Sequence, residues 1–152
     1  MNNSEKSVEV LNDLIKIHND RIQGYERATV EVEDADLKQL FTSFIGDSHK
    51  FKLALATEVQ TFHKDIENTT SSSGDIHRTW LNVKAFFSGH TPKSVLEECE
   101  FGEDATQKAY KSAIEDEGVP AYIKDILTEQ EVTLKAAHDK VKALRDAERQ
   151  ES

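Results

Sequence analysis

Apolar residues recur three and four positions apart along most of this chain. Val8, Leu11, Ile15, His18, Ile22, Tyr25, Thr29 and Val32 form one such seam, which predicts an amphipathic helix over roughly residues 5–32 with Ser4, or alternatively Ser7, as its N-cap. Leu37, Phe41, Phe44, Ser48, Phe51, Leu55, Val59 and Phe62 predict a second over 36–66. Val95, Cys99, Gly102, Thr106, Ala109 and Ala113, flanked by Leu96 and Tyr110, predict a third over 92–117, with Thr91 as N-cap and Pro92 at the first helical position. Ile123, Leu127, Gln130, Leu134, Ala137, Val141 and Leu144 predict a fourth over 120–147.

The connections decide how these helices are joined. The acidic turn at Glu33–Asp36 is short, so the first two helices must run antiparallel. The segment 68–74, NTTSSSG, reads as an exposed linker. A short helix over 75–88 follows, with Ile76, Trp80, Val83 and Phe87 on one face. Its aromatic area, with Phe86, either seals the bundle or makes a homodimer contact, and sealing is the favoured expectation. More than 20 residues between two long helices make a crossover rather than a tight turn. The predicted fold is all-α: a single domain over residues 1–152 containing a ferritin-like four-helix bundle, with a short extra helix in the crossover between the second and third long helices.

Each long seam is interrupted near its middle by one polar residue: His18, Ser48, Glu103 and Gln130. His18 and Ser48 stand equally far from the turn at Glu33, while Glu103 and Gln130 stand near the middles of their own helices. The four are therefore expected to form one central polar layer, either a hydrogen-bond network that fixes register or a metal or small-ligand site. Of the acids on the third helix, Glu103 is expected to point inward, and Glu97, Glu98, Glu100 and Asp104 sideways or outward.

The available ligands weigh against a di-iron centre. Such a site takes a Glu from each of two helices and a Glu-x-x-His from each of the others. This chain has no Glu-x-x-His: Asp47 is followed three residues on by Lys50, and Glu131 by Leu134. No metal is expected, and the residues that could serve one are Glu103, His18, His138, Glu26 and Glu131. Glu26, Asp47, Glu100, Glu131 and His138 lie at seam borders, where charges usually form solvated ion pairs. Glu58 leans inward near a helix end. Cys99 reads as a core filler, and His49, His63, His77 and His90 form no ligand set.

Charge narrows the partners. With 29 acidic against 19 basic residues the net charge is −10, which disfavours nucleic acid and anionic membranes. No apolar run reaches membrane-spanning length and no secretory signal is visible, so a cytoplasmic location is expected. A single cysteine fits a reducing compartment. No phosphate-binding loop or nucleophile elbow is present.

Four blocks carry a resemblance: LNDLIKIHNDRIQGYERA (Leu11–Ala28), HRTWLNVKAFFSG (His77–Gly89), VLEECEFGEDATQKAY (Val95–Tyr110) and AAHDKVKALRD (Ala136–Asp146). In content and order the chain resembles bacterial ferritin-like four-helix-bundle proteins of unknown function, the PA2169 family. The resemblance implies a ferritin-like fold and a bacterial source. It brings no known activity, substrate or metal site. The expected role is therefore that of a non-enzymatic cytosolic bundle with a structural, interaction or stress-related function. The alternative is a metal-binding or ferritin-like oxidase protein with a reduced ligand set for iron, manganese or zinc.

Overall fold

The computed structural model describes residues 3–62, 64, 80 and 91–151. Among these it holds four helices and no strand: α1 (Asn3–Glu31), α2 (Ala35–Thr61), α3 (Pro92–Glu115) and α4 (Ala121–Glu151). The linker expected at 68–74 and the short helix expected at 75–88 lie outside the described residues, apart from Trp80.

Local chemistry sets the helix ends. The Asp34 side chain accepts from Leu37 N and caps α2, and Thr91 does the same for Ser94 N ahead of Pro92. α2 stops at Thr61 and not at Ile66, because Phe62 N and Lys64 N both turn back to the Val59 carbonyl, at 3.1 and 3.4 Å. α1 starts at Asn3, which puts Ser4 inside the helix rather than at its cap. α4 begins one residue after Pro120 and runs on to Glu151.

Contacts between helices fix their directions. Lys38 reaches the Thr29 carbonyl, Ser48 meets His18, and Lys52 meets Asn19, so α2 runs antiparallel to α1. Glu103 meets Arg21, Tyr110 meets His18, and Asp116 meets Lys6, so α3 is also antiparallel to α1. Gln130 meets Tyr110, His138 meets Asp104, and Arg145 meets Glu100, so α4 is antiparallel to α3 and parallel to α1. The order is up, down, down, up. Since α2 and α3 are parallel, Phe62 and Thr91 stand at opposite ends of the bundle.

The core has two apolar halves. One gathers Tyr25, Ala28, Phe41, Phe44, Trp80, Leu96, Cys99 and Val141, and the other Leu11, Ile15, Leu55, Val59, Ile123 and Leu127. Trp80 is sealed into the first half, 1% exposed, with its ring centre 5.4 Å from that of Tyr25 and its Nε1 donating to Thr106 Oγ1. It rests on Gly102, where a side chain would collide with it: a Cβ there would lie 2.7 Å from the indole ring. Phe86 and Phe87 lie outside the described residues.

Candidate functional site

Between the two apolar halves lies a buried polar layer. Its best-anchored member is Arg21, 0% exposed. Arg21 Nε and Nη2 donate to the two oxygens of Glu103 at 2.6 and 3.1 Å, a bidentate ion pair. Its Nη1 donates to Ser48 Oγ at 2.7 Å and to the Phe44 carbonyl at 3.1 Å. The rings of Tyr25 and Phe44 flank the guanidinium at 5.2 and 5.4 Å. Burial opposes the positive charge, but Glu103 by charge and hydrogen bond, with Tyr25 and Asp47 adding to it, holds Arg21 above its ordinary pKa.

Hydrogen-bond direction can be followed from Arg21 across the layer. The Tyr110 hydroxyl donates to Gln130 Oε1 at 2.7 Å. Having one proton, it must accept from His18 Nε2, 2.6 Å away. His18 is then the neutral Nε2–H tautomer, and its Nδ1 accepts from the Ser48 hydroxyl at 3.0 Å. Gln130 Nε2 closes the far end weakly on the Phe51 carbonyl at 3.5 Å. Burial, then the nearby charges of Arg21 and Lys52, push the His18 pKa down to about 3, so the ring stays neutral at ordinary pH. Burial raises Tyr110 well above the usual phenol range.

The structure thus links His18, Ser48, Glu103 and Gln130 through Arg21 and Tyr110, which the seam pattern did not single out. Arg21 shares its turn with Ile22, and both are buried. Stepping three residues from His18 reaches the arginine, and stepping four reaches the isoleucine. The chemistry of this layer is that of a closed network. Both ring nitrogens of His18 and both oxygens of Glu103 are engaged. Tyr25, fully buried beside it, is the exception: its hydroxyl has no hydrogen-bond partner among the described residues. Burial and then the Glu103 charge push that phenol up, although the carboxylate lies outside hydrogen-bond geometry. Burial likewise raises Cys99, leaving it an unreactive thiol.

Residue by residue, the seam-border set separates. Glu26 is exposed, and Asp47, Glu58 and Glu131 are half-buried. Glu100, expected to point sideways or outward, is 7% exposed and covered by an ion pair with Arg145. His138 is half-buried and turns Nε2 to Asp104 Oδ1 at 2.5 Å. Among the described residues, Glu100, Asp104 and His138 are the one group of three whose ligand atoms lie within 4.8 Å of one another. Neither Glu26 nor Glu131 joins them.

Comparison with protein families matches residues 6–116 to a domain of unknown function, DUF2383. The chain belongs to this family. No protein of curated function matches it. The DUF2383 match runs from the first turn of α1 to the end of α3. It takes in His18, Arg21, Ser48, Glu103 and Tyr110, and stops short of Gln130 and His138 on α4. None of the described helices of this DUF2383 protein is long and apolar enough to cross a membrane.

Proposed function

We propose that this chain is a non-enzymatic, single-domain, ferritin-like bundle of the cytoplasm with a structural, interaction or stress-related role. The observation that carries the proposal is the guanidinium at the centre. A ferritin-like metalloprotein projects carboxylates and imidazoles inward to hold cations. Here a side-chain cation, Arg21, stands among the inward residues and takes both oxygens of Glu103. The neutral His18 is likewise held at both nitrogens. A metal entering this layer would have to displace a buried charge that has no other carboxylate beside it in the network. The up-down-down-up order with one long connection supports the ferritin-like assignment and its PA2169-type relatives. The acidic surface supports partners other than nucleic acid or anionic membranes.

The test is elemental analysis of untagged protein alongside Glu103→Gln. The proposal expects no metal that depends on Glu103. Stoichiometric iron, manganese or zinc that vanishes in Glu103→Gln would overturn it in favour of a core metal site. Light scattering of the same samples tests for the homodimer.

A further inference from the structure

We propose that the edge between α3 and α4 binds a divalent transition-metal cation of the zinc class through Glu100, Asp104 and His138. The three donors come from two helices. Glu100 and Asp104 are one turn apart on the same face of α3, and His138 meets them from the antiparallel α4, with all three ligand atoms within 4.8 Å of one another. One imidazole with two carboxylates is a donor set that suits zinc and its neighbours, with a further position left to solvent.

What separates this group from an ordinary patch of acids is the imidazole brought in from a second helix and the way it is held. His138 Nε2 faces Asp104, while Nδ1 lies 3.1 Å from Asp139 Oδ1, and Asp139 is itself held by Lys135 at 2.9 Å. A carboxylate behind the non-ligating nitrogen is the usual support of a metal-bound histidine, because it fixes the ring and raises its basicity.

Arg145 does not close the site. It engages Glu100 through Oε2, and a carboxylate has a second oxygen to offer. The geometry needs only a small adjustment. Ligand atoms at about 2.1 Å from a metal stand roughly 3.4 Å apart in a tetrahedron, so the 2.5 Å contact of Asp104 with His138 must widen by about 1 Å. The Asp104 side chain is 47% exposed and can make that shift by a rotation. The central layer is not involved, since the oxygens of Glu103 remain on Arg21.

The full untagged chain, stripped with chelator, is titrated with zinc chloride against a chromophoric competitor. Cobalt(II) is used in parallel for its ligand-field absorption. The expected result is one zinc per chain, with affinity at least about tenfold lower in Asp104→Asn and in His138→Gln. Binding should be unchanged in His49→Gln, an exposed histidine, and in Glu103→Gln. Far-UV circular dichroism checks that each variant is folded. Absence of binding at low micromolar zinc overturns the proposal, as does binding that survives both Asp104→Asn and His138→Gln. Zinc lost in Glu103→Gln but kept in Asp104→Asn would overturn both this site and the closed-centre reading. Loss in Asp104→Asn alone leaves the closed centre intact.

Discussion

Gly46 and Gly102 both lie inside long helices, so replacing either with Ala should return the same backbone term, about 1 kcal/mol. Their surroundings make the outcomes opposite. Gly46 is exposed, and a Cβ there would meet nothing within 4 Å, so Gly46→Ala should stabilise by roughly that full amount. At Gly102 the same methyl would stand 2.7 Å from Trp80 Cε2 and Cζ2 and 2.8 Å from Cη2. The indole has little room to retreat, being 1% exposed, set edge-to-face against Tyr25 and tied to Thr106 through Nε1. Overpacking of this kind costs about 1–3 kcal/mol, so Gly102→Ala should be neutral to destabilised by about 2 kcal/mol. The gap between the two variants is then the overpacking term itself, which corresponds to about 2–12 °C in Tm for a chain of this length. Thermal and urea denaturation followed by circular dichroism measures it. Trp80 is the single tryptophan, so its emission reports directly on the displaced ring. In a Trp80→Leu background the gap should close. Gly102→Ala stabilised as much as Gly46→Ala, with unchanged emission, would refute the packing of Trp80 on Gly102.

Arg21→Met should cost about 3–5 kcal/mol, because it leaves Glu103 buried and unpaired, and Arg21→Met with Glu103→Met should recover most of that in urea titrations. Tyr110→Phe should cost about 1–3 kcal/mol by leaving both His18 Nε2–H and Gln130 Oε1 without their partner; a loss near zero would break the assigned donor order. His18 carries a pH dependence whose sign follows from its lowered pKa. The unfolded chain takes a proton near pH 6.5 that folded His18 refuses until about pH 3, so this stability is full above pH 6.5 and is lost as pH falls through that window. The slope is at most about 1.4 kcal/mol per pH unit, and it should be shallower by about that much in His18→Gln; coincident slopes would count against a buried neutral histidine. In the folded protein the His18 ring resonances should not titrate between about pH 5 and 8.

Periodicity and distance from the turns carried the four helices and the depth of the polar layer. His18 and Ser48 are equally distant from Glu33, and an antiparallel pair folded about that turn brings equal distances level. The layer's chemistry was harder to read, because phase resolves about one residue in three or four. Arg21 and Ile22 compete for the same turn of the seam, and hydropathy favours the isoleucine. Only a tertiary partner, Glu103 on α3, makes it favourable to bury the arginine as well. Tyr110 escaped for a similar reason. It flanks a seam of small residues, and its hydroxyl matters only once His18 and Gln130 are known to lie on either side.

The α3–α4 edge shows a different gap between sequence and structure. Asp104 and His138 stand 16 and 18 residues from Pro120, so the distance rule that pairs His18 with Ser48 also brings these two level. Both residues lie off the seams, where burial is not expected. Seam borders are expected to carry solvated charges, and Glu26 is exposed. That expectation fails at Glu100, where Arg145 lies across the carboxylate and removes it from water. The two polar regions then differ in how their negative charge is met. At the centre one carboxylate faces one guanidinium within a saturated network, so the layer is balanced without a ligand. At the edge Glu100 meets Arg145 and Asp104 meets His138, and Glu100, Asp104 and His138 together offer an incoming metal ion three converging donors. Zinc titration separates a metal site from a set of ion pairs: a bound ion would depend on both Asp104 and His138, whereas ion pairs alone would leave Asp104→Asn with no effect on metal content.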